Sequence, residues 1–312
     1  MVDFRGLNEL DLNPMLSYIS PNLRVLDISL NNNTSTISCA WDYVLSQLQS
    51  LQSLSISFSN CSEILANTLN QISPSVNCLP GLKYTAINLE NIEFSPEIYQ
   101  AIDHFYLAIQ DIPEHSFGLQ DSIHAGVQLD TLCQAVKHLN NLRFLKFMVY
   151  LRNMTSVDCV GKVVSDMHGL EKLNLHIRLD SHETMPFDLS LDNLSKLDHL
   201  RIELLFRPPE GFIEQLNMGI SQLSALEHLE LNILYYSKIR YPMFKSLLSR
   251  LNTLKALKDL EMSVNVEDEN INESLSQKNF KLKREFNDLL QKHPALTRIM
   301  YHHFVSYICC TK

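Results

Sequence analysis

The sequence predicts an α/β solenoid, a chain of short strands and helices alternating at a nearly fixed interval. Two observations carry this expectation. A phrase that is apolar at its first, fourth, sixth and eighth positions recurs along the chain, and between its copies the apolar period changes from 2 to about 3.6. Alternation of period 2 marks a strand with one buried face, and recurrence every three to four residues marks a helix with an apolar stripe.

The clearest copy is Leu226, Leu229, Leu231 and Ile233 in "LSALEHLELNIL". Equivalent copies begin at Leu23, Leu51, Leu82, Leu142, Leu170, Leu197 and Leu257; the last runs Leu296, Ile299, Tyr301, and Leu7, Leu10 and Leu12 form a partial first copy over residues 7–22. From Leu23 onward, starts lie 27 to 31 residues apart, except between 82 and 142 and between 257 and 296. One further copy fills the first gap: "IPEHSFGL" keeps Ile112, Phe117 and Leu119 in register, with His115 where leucine is expected. Ile98, Ile102, Phe105 and Ile109 recur every three to four residues and belong to a helix instead. Helices are also expected in "ISCAWDYVLSQL" (Ile37, Trp41, Val44, Leu45, Leu48), "FIEQLNMGISQL" and "MFKSLLSRLNTL", so each unit reads as a strand followed by a helix.

This pattern resembles the leucine-rich repeat family, specifically its ribonuclease-inhibitor-like class, from about residue 7 to about 304. The resemblance implies a single domain over 1–312 of about 10–11 repeats, a horseshoe with parallel strands on the concave face and helices on the convex face. The family places Asn three residues after the third leucine, and here only Asn31 and Asn265 fit; Tyr150, Arg178, Leu205 and Leu234 occupy matching positions elsewhere. A fourth apolar position (Leu30, Phe58, Leu89 and their equivalents) predicts longer strands, with the turns satisfied in some other way. The wide last spacing implies an insertion at 265–285, read as a solvated loop or a partner-docking segment, before a last repeat at 286–304. No polar cap precedes the first repeat, so that end either caps itself or abuts another protein.

The resemblance also implies that residues between the leucines line the concave surface, where a partner would bind. The apolar candidates are Tyr84, Phe144 and Met148; the basic ones are Lys146, Lys172 and Arg201; the acidic ones are Glu203, Glu230 and Glu261. His176, His199 and His228 complete the set. The competing reading is a solvated face that pairs its own charges, such as Arg201 beside Glu230. The three histidines invite a metal, but only His199 and His228 share a register, so no metal is expected.

Net charge of −9 argues against nucleic acid or an anionic membrane as partner. The N-terminus has no apolar leader segment, no apolar run approaches membrane-spanning length, and seven cysteines without CxxC spacing suggest reduced thiols in the cytoplasm. Phosphate-loop, dinucleotide, zinc-protease and nucleophile-elbow motifs are absent, so no enzyme activity and no cofactor are expected. The terminal "CCTK" is a poor prenylation signal. The leading expectation is therefore a protein-binding scaffold or adaptor within a larger assembly. The resemblance offers an alternative, a GTPase-activating protein using Arg152, Arg178 or Arg207 just after a strand, and a third reading is a ligand-sensing or substrate-recruiting receptor.

Overall fold

A computed structural model describes residues 9–11, 20–31, 36–38, 41–120, 125–139, 141–152, 157–180, 186–206, 211–267, 275–303 and 306–311. The chain forms two compact units, Met1–Met154 and Thr155–Lys312.

The first unit contains strands β1 (Glu9–Asp11), β2 (Val25–Asn31), β3 (Thr36–Ser38), β4 (Ser53–Ser59), β5 (Tyr84–Glu90), β6 (Glu114–Gln120) and β7 (Phe144–Arg152). Its helices are α1 (Trp41–Gln47), α2 (Ser62–Val76), α3 (Pro96–Ala108) and α4 (Ala125–Val136). Strands β2, β4, β5, β6 and β7 follow one another as parallel neighbours. The register never slips: Ile28, Ile56, Ile87, Phe117 and Phe147 stand side by side, all buried. Alternate residues of each strand are buried, as the phrase requires. The gap between Leu82 and Leu142 holds β6 and α3, each where the periodicity puts it.

Backbone groups join one copy to the next by a repeated device. The carbonyl of Arg24 accepts from both Gln52 N–H and Ser53 N–H, at 2.8 and 3.0 Å. Gln52 and Pro113 offer their carbonyls in the same way to Lys83 and Tyr84, and to Arg143 and Phe144. At the other end of the strands, Asn60 and Asn91 adopt left-handed φ of 53° and 50°, a conformation Asn tolerates better than most residues. Their N–H groups reach the carbonyls of Glu90 and Gln120. The Asn that the repeat pattern lacks is present one position later, and its backbone rather than its side chain extends the ladder.

Two leucine positions in neighbouring copies are polar, Thr85 and His115, and the register makes them adjacent. Thr85 Oγ1 lies 2.8 Å from His115 Nδ1, and His115 Nε2 lies 3.1 Å from the Tyr106 hydroxyl of α3. All three side chains are fully buried, so each supplies the partner that burial would otherwise deny the others. Burial pushes the His115 imidazole down to about 3, keeping it neutral.

The second unit contains β8 (Lys172–Asp180), β9 (His199–Leu205), β10 (His228–Arg240), β11 (Asp259–Glu267) and β12 (Arg298–His303), again parallel neighbours. Its helices are α5 (Asp158–Ser165), α6 (Phe212–Ile220), α7 (Tyr241–Leu251) and α8 (Leu275–Lys292). The shared carbonyl recurs at Glu171, Asp198, Glu227 and Lys258. Phe244 of α7, Phe286 of α8 and Tyr301 of β12 meet with ring centroids 5.1 to 6.3 Å apart, pinning the last helices to the strands.

The structure departs from the sequence expectation in four places. Ile37, expected to open a helix, lies in β3, which pairs with β1 in a separate two-stranded parallel sheet. The segment 265–285, expected as a loop, ends β11 at Glu267 and supplies the first turns of α8 from Leu275; 268–274 lie outside the described residues. Beyond the expected end of the repeats, β13 (Ser306–Thr311) pairs antiparallel with β12 and occupies its outer edge.

The fourth departure is in the connection from β8 to β9, which has no helix over its described residues 186–198. Irregular chain with turns at 192–193 and 195–196 lies there instead, burying Phe187, Leu189 and Leu191. Room for it comes from Gly161 of α5: a Cβ there would sit 1.6 Å from the carbonyl oxygen of Asp188. Ser165 Oγ then donates to the Ser190 carbonyl at 2.8 Å.

Two stability measurements follow. His115→Leu leaves two buried hydroxyls without partners and should cost about 2–4 kcal/mol in chemical denaturation, part of which Thr85→Val should restore in the double variant. The unfolded chain protonates His115 near 6.5, but the folded chain does so only at about 3. Stability is therefore full above 6.5 and falls as pH drops toward 3, by roughly 1.4 kcal/mol per pH unit for this one group; His115→Leu should flatten that slope. Gly161→Ala should gain about 1 kcal/mol of helix propensity but lose more to backbone displacement, for a net cost of about 1–3 kcal/mol by thermal unfolding.

Candidate functional site

In both units the buried strand positions pack against the helices, and the alternate positions form a second face that no helix among the described residues covers. Because the register holds through the repeat phrase, shifting only past Ile233 between β10 and β11, this open face is organised in straight columns across the strands. In the first unit one column reads Val25, Ser53, Tyr84, Glu114, Phe144, and the next Asp27, Ser55, Ala86, Ser116, Lys146. A third reads Ser29, Ser57, Asn88, Gly118, Met148.

That third column floors a groove of about 460 Å³ at the C-terminal ends of the strands. Its rim adds Asn31, Ser59, Glu90, Gln120 and Tyr150. Gly118 is needed in its floor, since a Cβ there would lie 2.4 Å from Asn88 Oδ1. With that space open, Asn88 Nδ2 donates to Ser57 Oγ at 3.2 Å. Of the twelve expected residues only Met148 lines this groove. The sequence expectation placed no site on these small, neutral strands. The usable signal was the same one that found the repeat: small residues stacked at one position of successive phrases leave a trough.

The second unit has a different surface. Its columns read Lys172, His199, His228, Asp259, Arg298; then Asn174, Arg201, Glu230, Glu261, Met300; then His176, Glu203, Asn232, Ser263. Charges pair across strands, Arg201 Nε to Glu230 at 3.2 Å and His176 Nδ1 to Glu203 at 3.0 Å, and within β9, Arg201 to Glu203 at 3.4 Å. His228 Nδ1 lies 2.8 Å from Asp259, which also faces Arg298 Nε at 3.4 Å. His199 Nδ1 is hydrogen-bonded to Asp198. The rings of His199 and His228 stack with centroids 4.2 Å apart. Exposed Glu227 is held below the usual carboxylate value chiefly by the Lys258 hydrogen bond, with the charges of His228 and His199 adding in the same direction.

Each sequence-expected residue thus lies on an open face. Tyr84 and Phe144 share a column but are separated by β6 with Glu114 between them, while Lys146 sits beside Ser116. Arg201, Glu203 and Glu230 meet directly, and Arg201 beside Glu230 is the pair the sequence pointed to. Glu261 stands in register with Glu230, a like-charge neighbour whose repulsion the Arg201 contact offsets. His176 does not join the other two histidines. Arg152 ends β7, Arg178 is exposed in β8, and Arg207 lies outside the described residues.

Among the described residues no helix is long and apolar enough to cross a membrane, and no group of three or more His, Cys, Asp or Glu side chains is placed to hold a metal ion. In comparisons with known proteins, no family model matches the chain and no curated protein shows significant similarity to it.

Glu203 is only 14% exposed and faces both His176 and Arg201. Glu203→Ala should lower stability by about 1–2 kcal/mol in chemical denaturation, since its two partners lose a shared, poorly screened acceptor.

Proposed function

We propose that this chain is a divergent leucine-rich-repeat solenoid of the ribonuclease-inhibitor-like class, and a non-enzymatic protein-binding module. It serves as a scaffold, adaptor or subunit within a larger assembly in the cytoplasm. The observation that carries the reading is the open face itself. In each unit five parallel strands present side chains in straight columns through the repeat phrase, the register shifting only past Ile233, between β10 and β11. A surface built on an unbroken backbone ladder is pre-organised, so a partner that fits it meets little ordering cost.

Tyr84, Phe144 and Met148 are the apolar anchors of this reading and Lys146 the cation beside them. In the second unit Lys172, Arg201, Glu203, Glu230 and Glu261, with His176, His199 and His228, form a charged strip. A charged protein surface is the fitting counterpart, through steering and exclusion of wrong partners as much as through affinity.

The test is affinity purification of the tagged chain from its native source, with the captured partners identified by mass spectrometry and reassembled from pure components. Lys146→Glu and Lys172→Glu, made separately, should each weaken the reconstituted complex by about tenfold, or roughly 1.4 kcal/mol. Unchanged affinity in both variants would move the binding surface away from the open faces.

A further inference from the structure

Helices α7 and α8 differ in charge from the rest of the chain. Across the two, seven Lys and Arg residues stand against two acids, whereas the whole chain has 26 against 35. Helix α8 is amphipathic, with Leu282, Phe286, Leu289 and Leu290 buried. The spacing of Phe280, Lys283, Arg284 and Asn287 puts them together on the opposite face, and all four are exposed. Phe280 is 73% exposed, the one large apolar side chain left open on these two helices among the described residues.

The two helices form one surface. The Tyr241 hydroxyl of α7 donates to Glu285 of α8 at 2.9 Å, and Lys281 Nζ lies 3.9 Å over the Tyr241 ring. Exposed Lys245 follows Tyr241 by about one turn. The two acids, Glu285 and Asp288, are half-buried while Lys245, Lys283 and Arg284 are exposed, so the outermost charges are positive. These three cations make no ion pair among the described residues. Among those residues α8 is also the last helix, and the end of a stack needs a solvated cover. Cations alone would meet that need. A bare phenylalanine set among them does not serve solvation, whereas aromatic and Arg side chains together are enriched at the centres of interfaces.

We infer that the exposed face of α7 and α8, centred on Phe280, Lys283 and Arg284, docks an acidic segment of a partner protein. Carboxylates of the segment pair with the cations, and an apolar side chain of it covers Phe280. Arg284 offers the forked donor geometry that matches a carboxylate, and Lys281 and Lys245 extend the positive field toward α7. A bilayer fits less well, because the apolar faces of both helices are packed into the core and Phe280 alone would enter it. A long nucleic acid also fits less well, since the excess of acids elsewhere in the chain repels it. A short acidic segment meets the basic face by itself. This surface lies on the helix side, apart from the open strand faces, and binds whether or not they do.

The experiment measures, by fluorescence anisotropy, binding of the intact chain to a labelled glutamate-rich peptide containing leucine, and to the same peptide with lysine in place of glutamate. Expected is saturable binding of the glutamate peptide only, weakening about tenfold as salt rises from about 0.05 to 0.3 M. The Lys283→Glu/Arg284→Glu double variant should lose at least tenfold in affinity. Phe280→Ser should lose about three- to tenfold with its salt dependence unchanged, while Lys146→Glu in the first unit leaves binding as it was. Thermal unfolding of each variant checks that it is folded. Phosphatidylserine vesicles and a single-stranded oligonucleotide are added as competitors. A lack of saturable binding, equal binding of the lysine peptide, full affinity in the double variant or in Phe280→Ser, or displacement by either competitor at lower concentration than unlabelled peptide would overturn the assignment.

Discussion

The unshifted parallel ladder is the constraint on which the rest of this structure depends. Within each unit, each repeat strand pairs with the next at the same position of its phrase, as when Leu26, Leu54, Thr85, His115 and Leu145 form one row. A slip of one residue would exchange the buried face for the open one, so the rows act on every side chain at once. One consequence is that a polar residue at a core position can be tolerated only if its row neighbour answers it. Thr85 and His115 do so, and Tyr106 closes the chain of contacts from the helix side. Another is that side chains on the open face are chosen in relation to the strands beside them. Gly118 is small because Asn88 occupies its space, and Arg201 lies between Glu203 on its own strand and Glu230 on the next.

The same ladder explains how much of the fold could be read from the sequence. A strand buried on one side writes a period of 2, a helix a period of 3.6, and the stacking of copies repeats both every 27 to 31 residues. That was enough to place ten parallel strands, including β6, whose phrase is spoiled by His115, and to predict the columns of the open face residue by residue. What the sequence hid depends on contacts that leave no period. The close approach of Asp188 to Gly161 lets irregular chain, not a helix, pack in the described part of the β8–β9 connection, and a lone glycine in an apolar run does not announce its neighbour. Pro186 and the alternation of Phe187, Leu189 and Leu191 were the available hints. β13 is a six-residue strand that runs antiparallel along β12, and β3 is too short for any period to show. At Asn60 and Asn91 the backbone conformation matters and not the side-chain reach, and that leaves no period in the sequence.

The candidate sites were legible to a different degree. Position on the face follows from register, so all twelve expected residues stand where the phrase puts them. Which of them meet depends on side-chain length and on what lies between. Tyr84 and Phe144 are kept apart by Glu114, whereas Arg201 spans to two acids. The groove leaves a fainter mark in the sequence than the large and charged residues do, because its floor is made by small ones, Ser29, Ser57 and Gly118, that leave room.

The two faces ask different things of whatever binds them. On the second unit the ion pairs are satisfied before a partner arrives: Glu203 already has two donors and Arg201 two acceptors. A partner that displaces these contacts must return equivalent ones, because a half-exposed charge stripped of water and of its pair is costly. Such a face rewards an exact charge match and rejects near misses, giving selectivity more than strength. On the first unit the groove floor is neutral and its hydroxyl and amide groups are short, with Met148 and Tyr150 at one end. Little charge must be desolvated there, so shape and hydrogen-bond geometry decide the fit. A single repeat pattern thus carries one surface that discriminates by charge and one that discriminates by form, because the ladder fixes the columns and leaves the chemistry within each column free.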